Sequence, residues 1–179
     1  MPVLVAAVGL TAALCLVNLL LTFGVVRRLR EHGQLLSEPR TPPEVTGLLP
    51  GESPGAFTVV SATGKQLSDA TGVRIAAFFS TTCSVCPERV APFISYVSAH
   101  GLRRADVLAV IVGNGQPDGQ TTYADQLAPV ATVCTEPGEG GGVSTAFKVT
   151  GFPAFCLLDD SGQLAASGYD PAMLPALVA

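Results

Sequence analysis

The sequence has few histidines and few paired cysteines, the side chains that most often bind zinc. Its 179 residues include two histidines, His32 and His100, which do not form a paired motif. A single C-x-x-C occurs, at Cys83 and Cys86, and no second one accompanies it. A structural zinc site needs about four ligands, which commonly come in such pairs. These shortages make zinc the less favoured interpretation, and no resident metal is predicted.

Positive charge is also scarce in the C-terminal part of the chain. From Thr41 onward, 12 acidic residues outnumber 6 basic ones. Proteins that bind nucleic acid usually present a basic patch, so nucleic acid is not an expected partner. The glycine-rich stretch 138–142 is not followed by the Gly-Lys-Ser/Thr sequence of a phosphate-binding loop. No organic cofactor is implied.

Charge is absent from residues 3–26, a nearly uninterrupted apolar run. As a helix, the run would be about 36 Å long, enough to cross a bilayer with some tilt. A cleaved signal peptide has a basic residue before a shorter apolar core, and this run has neither feature. We therefore predict a single transmembrane anchor over residues 1–30, with Arg27, Arg28 and Arg30 as its basic flank and the lipid bilayer as a partner of residues 3–26.

The rest of the chain is predicted to form a linker and one domain. Residues 31–53 contain several prolines and are expected to be a linker, and residues 54–179 are expected to be the folded domain. Buried strands are indicated by apolar runs without alternation, as in 74–80 and 107–112. Helices are predicted over 87–100 and 121–127, and a further strand over 130–134. Strands and helices thus alternate, and the chain ends in a hairpin and a short helix over 171–178. This order predicts an α/β three-layer sandwich with a mixed central sheet.

The most informative motif is Cys83-Ser84-Val85-Cys86, between a predicted buried strand and a predicted helix. On the first turn of a helix, residues three apart lie on one face, so the two sulfurs can meet. The positive end of the helix dipole favours thiolate over thiol. Because the thiolate is the nucleophile, we predict Cys83 and Cys86 as the catalytic pair of a thiol–disulfide oxidoreductase.

Two other uses of the cysteines are weighed against this one. A structural disulfide across so short a loop would constrain little of the unfolded chain. A metal-binding or metallochaperone domain could use Cys83, Cys86 and Cys134. Cys15 lies within the predicted span and is expected to be a small apolar packing residue. Cys134 and Cys156 are expected to be buried free thiols, with a second disulfide as the alternative.

A second segment, Thr150-Gly151-Phe152-Pro153, opens the predicted hairpin. With the C-x-x-C upstream, it makes residues 54–179 resemble thioredoxin-fold proteins. In that family a cis proline faces the C-x-x-C, and the resemblance places it at Pro153. Because proline lacks an N–H, the backbone beside it is left to pair with an extended substrate segment. Phe152 and Pro153 are therefore expected to bind substrate.

The order of strands before the motif is similar to that of membrane-anchored TlpA/ResA-type reductases, and the apolar anchor resembles that of MauD. Three features depart from thioredoxin. Its buried Asp corresponds to Ala77, its Trp before the first cysteine to Thr82, and its Gly-Pro pair to Ser84-Val85. The proton acceptor is therefore unassigned. Glu88 lies close in sequence, although it also suits a solvated first-turn carboxylate.

The resemblance implies a membrane-tethered enzyme that reduces a protein disulfide in an assembly pathway such as cytochrome c maturation. The sequence does not identify its membrane electron donor. The alternative from another class is a non-catalytic accessory protein that matures a partner enzyme. By the positive-inside rule, the arginines after the span favour a cytoplasmic domain, whereas the resemblance favours an extracytoplasmic one. We expect a single-pass protein of the cell membrane whose redox domain lies on the extracytoplasmic side.

Overall fold

The computed structural model describes residues 9, 15, 16, 45–64, 66–68, 72–113, 117–138 and 140–176. The predicted anchor and its basic flank lie outside these residues, apart from three isolated positions. No helix within the described residues is long and apolar enough to cross a membrane. The chain divides into two units at the Pro42–Pro43 boundary, and the architecture below is that of the second unit.

The second unit is built on a five-stranded sheet in the order β5-β4-β3-β6-β7. Strands β3, β4 and β5 are parallel, whereas β6 and β7 run antiparallel to their neighbours. The strands span Ile75–Ser80 (β3), Val107–Val112 (β4), Thr132–Glu136 (β5), Ala154–Leu158 (β6) and Leu164–Gly168 (β7). The mixed central sheet predicted from the sequence is confirmed.

Both faces of this sheet are covered, which explains why its central strands lack alternation. Every residue of β3, β4 and β6 is buried, as expected for strands between two layers. On one face lie helices α1 (Cys86–Ala99) and α2 (Pro117–Leu127); on the other lies the short helix α3 (Gly142–Ala146). Apolar side chains fill the space on each side of the sheet. The second unit is thus a three-layer α/β sandwich, as predicted.

The core on the α1 face is rich in aromatic rings. Phe79 of β3 contacts Phe93 of α1 edge to face, with ring centroids 6.0 Å apart, and Phe155 of β6 at 5.7 Å. All three side chains are fully buried. Such pairs add about 0.5–1.5 kcal/mol beyond the burial of their area. This packing fixes α1, and with it the start of the helix at Cys86, against the end of β3.

The folded unit begins earlier than the boundary predicted at Pro54. Val45 and Leu48 are buried in the core on the α3 face, and Thr46 forms a β-bridge with Val149. A two-stranded antiparallel sheet follows, made of β1 (Thr58–Val60) and β2 (Gln66–Ser68). The sequence does not indicate this packing, because the segment is rich in proline and its apolar residues have no regular spacing.

Three predicted boundaries are corrected. Helix α2 begins at Pro117 rather than Thr121, since proline is well suited to the first position of a helix. Strand β5 begins at Thr132 rather than Val130, because the backbone N–H groups of residues 130 and 131 donate to the carbonyl of Leu127. The predicted C-terminal helix is wrong over the described residues: only a 3-10 turn, Pro171–Met173, forms. Pro175 has no N–H to donate to a continuing helix.

Candidate active site

The two motif cysteines lie where the central strand β3 gives way to helix α1. Cys86 is the first residue of α1, and Cys83 lies in the turn before it. The two sulfurs form a disulfide, with the Cα atoms 5.4 Å apart. The backbone N–H of Cys86 points at the Cys83 sulfur, 3.1 Å away. An N–H aimed at this atom would stabilise negative charge on it in the reduced state.

The turn before Cys83 is held by its own hydroxyl groups. The hydroxyls of Ser80 and Thr82 lie 3.0 Å apart, and the backbone N–H of Thr82 donates to the Ser80 hydroxyl at 3.3 Å. The N–H of Thr81 donates to the carbonyl of Val112 on β4, at 2.9 Å. Cys83 is thereby placed at the end of the sheet by bonds to two strands. No pattern in the sequence marks these hydroxyls as part of the site.

The two cysteines differ in their surroundings. Cys83 is half-buried, whereas Cys86 is fully buried among apolar side chains on the α1 face. Ala77, which stands where thioredoxin has its buried Asp, belongs to the same apolar cluster. Glu88 is exposed in the first turn of α1. Cys83 is therefore the sulfur that an incoming substrate can reach, and Cys86 lies behind it.

The segment predicted to face the pair does so. The Phe152–Pro153 peptide bond is cis, which confirms the sequence-based expectation for Pro153. The carbonyl oxygen of Phe152 lies 3.5 Å from the Cys83 sulfur. Strand β6 begins at the next residue, Ala154, and pairs with β3. The neighbouring strands β3 and β6 therefore bring all four predicted site residues to one end of the sheet.

A groove of about 450 Å³ opens beside Cys83. Apart from the Cys83 sulfur, its lining side chains are hydroxyl-bearing or apolar, and none of them is charged. They are Ser80, Thr82, Cys83, Ser84, Val85, Gly140, Ser144, Val149, Thr150, Gly151 and Phe152. The groove is bounded on one side by the C-x-x-C turn and on the other by residues 140–152, which we call the groove wall. Such a surface suits an uncharged segment of polypeptide better than a strongly charged small molecule.

The remaining described cysteines of this unit do not join the pair. Cys134 and Cys156 are buried free thiols, as predicted, and both lie in the core on the face opposite Cys86. Burial, aided by the charge of Glu136, raises the pKa of Cys134 to about 12. Burial alone raises the pKa of Cys156 to about 12. Both thiols are therefore poor nucleophiles at neutral pH.

This placement argues against a metal site that shares Cys134 with the motif. Cys134 and Cys86 are separated by the sheet itself. Among the residues that the structure describes, no three His, Cys, Asp or Glu side chains converge as ligands would. His100 lies at the opposite end of α1 from Cys86, with its Nδ1 2.8 Å from the carbonyl of Tyr96.

Two further residues of the site, Ser144 and Glu136, were not predicted from the sequence. Ser144 lines the groove. The buried carboxylate of Glu136 accepts a hydrogen bond from the Ser144 hydroxyl. Strand β5 was predicted to end at Cys134, two residues before Glu136. One signal for Glu136 was present in the sequence: an acidic residue at the end of an apolar strand, just before a glycine-rich loop and a helix.

No protein-family model matches the chain, and no curated protein matches its sequence. Solved structures do match its fold. A thio-disulfide isomerase from Thermus thermophilus is 18% identical with a TM-score of 0.51, over 69% of this chain and 87% of that one. The thioredoxin domain of a thiol-disulfide oxidoreductase from Bacteroides vulgatus is 17% identical with a TM-score of 0.52, over 68% and 89%.

A thiol:disulfide interchange protein from a Bacteroides species is similar to the same degree. It is 16% identical with a TM-score of 0.52, over 70% of this chain and 86% of that one. At these identities the likeness is one of fold. The chain therefore has a thioredoxin-like fold, in agreement with the resemblance noted in its sequence.

Proposed function

We propose that the protein is a thiol–disulfide oxidoreductase that exchanges a disulfide of a protein substrate through Cys83 and Cys86. The observation that carries the proposal is the disulfide-bonded pair at the start of α1, with Cys83 beside an open groove and Cys86 buried behind it. A purely structural crosslink would gain nothing from such a groove. The fold is one that disulfide-exchanging enzymes also have.

In the reducing direction the reaction starts from the dithiol. The Cys83 thiolate attacks one sulfur of the substrate disulfide, and the other substrate sulfur leaves as a thiolate that takes a proton from water. The Cys86 thiolate then attacks the Cys83 sulfur and releases the second substrate thiol. Two electrons have moved to the substrate, and the Cys83–Cys86 disulfide is the oxidised product. The dithiol is restored by a reductant outside this chain, which we propose to be a membrane electron donor.

The substrate segment would lie in the groove, with its backbone beside Phe152 and Pro153. The Phe152 carbonyl is 3.5 Å from the Cys83 sulfur, so a segment paired with this backbone would bring its own sulfur within reach of Cys83. Val85, which lines the groove and is 43% exposed, offers an apolar contact. We assign substrate binding to Phe152 and Pro153 on this basis.

A trapping experiment tests the proposed function. In Cys86→Ser, the mixed disulfide on Cys83 has no internal thiol to resolve it. We expect full-length Cys86→Ser, expressed in cells, to accumulate covalent adducts that disappear on treatment with dithiothreitol. The double variant Cys83→Ser, Cys86→Ser is the matched control and should show none. If Cys86→Ser also shows none, the non-catalytic accessory role becomes the better account.

We further propose that residues 3–26 tether the enzyme to the cell membrane as a single span, with the redox domain on the extracytoplasmic side. The support is the uncharged apolar run and the resemblance to anchored TlpA/ResA-type reductases and MauD. The direction we propose is reduction, in an assembly pathway such as cytochrome c maturation. The lipid bilayer is then the partner of residues 3–26.

Thiol labelling of intact cells tests the orientation. Cys86, Cys134 and Cys156 are buried, and Cys15 lies within the proposed span. A membrane-impermeant maleimide should therefore report mainly on Cys83. After mild reduction, we expect labelling of the protein in intact cells and none in Cys83→Ser. Labelling of Cys83 only after lysis would place the domain in the cytoplasm, as the arginines after the span favour.

A further inference from the structure

A buried carboxylate lies behind the groove without a part in the exchange reaction. Glu136 is the last residue of β5, pairs with Val112 of β4, and has only 4% of its surface exposed. Burying a carboxylate is costly unless it is well hydrogen-bonded. A buried acid in contact with a residue that lines the groove therefore calls for a physical explanation.

All of the hydrogen bonds found for this carboxylate come from the first turn of α3. Glu136 Oε1 accepts the backbone N–H of Val143 at 2.6 Å. Its Oε2 accepts the N–H of Ser144 at 3.2 Å and the Ser144 hydroxyl at 2.5 Å. Bonds to an ionised acceptor are about twice as strong as neutral ones. Glu136 thus fixes the start of α3 to the end of the central sheet.

The glycine-rich loop makes room for this arrangement. A Cβ atom on Gly141 would lie 2.1 Å from Glu136 Cδ and 2.3 Å from Oε2, far inside van der Waals contact. Any other residue at 141 would displace the carboxylate or the loop. Glu136 and Gly141 are therefore matched to each other, which accounts for a glycine that the sequence alone left without a role.

The turn held by Glu136 is part of the groove wall. Gly140 and Ser144 line the groove directly. Beyond α3, the N–H of Val149 donates back to the Ser144 carbonyl at 2.9 Å. Phe152, whose carbonyl oxygen faces the Cys83 sulfur, follows Val149 by three residues. A shift at the start of α3 would therefore move the part of the groove wall that Gly140 and Ser144 form.

The other end of the groove wall is held separately. The N–H of Gly47 donates to the Lys148 carbonyl at 2.8 Å, and the N–H of Thr150 donates to the Val45 carbonyl at 3.0 Å. These bonds do not involve Glu136. Loss of the Glu136 bonds should thus loosen the Gly140–Ser144 part of the wall while the Cys83 turn, which is held by Ser80 and β4, keeps its geometry.

We infer that Glu136 is a positioning residue: through Ser144 and the first turn of α3, it sets the groove wall to receive an extended, uncharged segment of the substrate protein. This inference rests on the proposed function, because it assigns a part of the same exchange site. It predicts that Glu136 affects the recognition of a protein substrate, and not the reactivity of the Cys83 sulfur towards a small reagent.

The test is a comparison of full-length Glu136→Gln with wild type in detergent. Insulin reduction is measured over a range of insulin concentrations, with dithiothreitol as the terminal reductant, and alkylation of reduced Cys83 by iodoacetamide is measured separately. We expect KM for insulin to rise about tenfold, a change that corresponds to one charge-assisted contact. The kcat and the alkylation rate should stay within about twofold, as for any step that leaves the reacting sulfur unmoved.

Two further variants control for the loss of charge and for a folding defect of Glu136→Gln. Asp125→Asn removes the same charge from an exposed position on α2 and should leave KM unchanged. Gly141→Ala keeps the carboxylate but displaces it, and should reproduce the rise in KM even if Glu136→Gln fails to fold. An unchanged KM in the folded variants, or an equal fall in kcat and alkylation rate, would overturn the inference. If wild type reduces no insulin, the proposed function fails, and the inference fails with it.

Discussion

Cys83→Ser is expected to lower the rate of disulfide exchange by at least about a thousandfold. The serine hydroxyl does not ionise near neutral pH, so it cannot replace the thiolate as nucleophile. The loss should be complete because no other thiol of the folded unit can substitute. Cys86 is fully buried, and Cys134 and Cys156 lie in the core on the opposite face of the sheet. The measurement is the rate of insulin reduction by the purified full-length protein.

Cys134→Ala is the matched control for this variant. It also removes one sulfur, but from a buried thiol with a pKa of about 12 that has no route to the groove. We expect its exchange rate to stay within about twofold of wild type, although the small cavity will cost some stability. If Cys134→Ala lost as much activity as Cys83→Ser, the assignment of the nucleophile would be wrong.

Ala77→Asp is expected to destabilise the domain by about 3 kcal/mol or more and to lower Tm by about 10 °C or more. The Ala77 side chain is fully buried, with Ala109 and Phe155 as its cross-strand neighbours. A carboxylate there would lose its hydration without gaining a partner. The matched control is Ala165→Asp, at an exposed position of strand β7, which should change Tm little.

The effect of Ala77→Asp should also depend on pH. Burial raises the pKa of a carboxyl group, so the folded state would hold a proton that the unfolded state has lost. Stability then falls as pH rises above the ordinary Asp value of about 4. The loss of stability should be smaller at pH 4 than at pH 8, as measured by thermal unfolding. A Tm difference from wild type that does not change with pH would show that the new carboxyl is solvated.

Much of the fold follows from local sequence patterns. The predicted strand at 107–112 matches β4 residue for residue, and β3 and α1 agree to within one residue at each end. These elements are bounded by clear signals: continuous apolar runs covered on both faces, and a C-x-x-C that opens a helix. The cis bond at Pro153 followed from the resemblance, because no periodicity in the chain marks it.

What the sequence did not predict depends on contacts between distant residues. Val45 and Leu48 are core residues because they meet α3 and its surroundings, not because of their own spacing. Glu136 and Ser144 gain their relation to the site only when β5 and α3 meet. Hydrogen bonds of this kind have no period that a single sequence could display.

Cys83 and Cys86 together are proposed to exchange two electrons with a protein disulfide, and this is the central claim. It is tested most directly by mixing the reduced wild-type protein with a disulfide-containing protein substrate under anaerobic conditions. The reaction is quenched with acid, and the alkylated thiols of the enzyme and of the substrate are counted by mass spectrometry. We expect Cys83 and Cys86 to lose their thiols as the substrate gains an equal number, or the reverse when oxidised protein meets a reduced substrate. Unchanged thiols on both proteins, from either starting state, would contradict the claim.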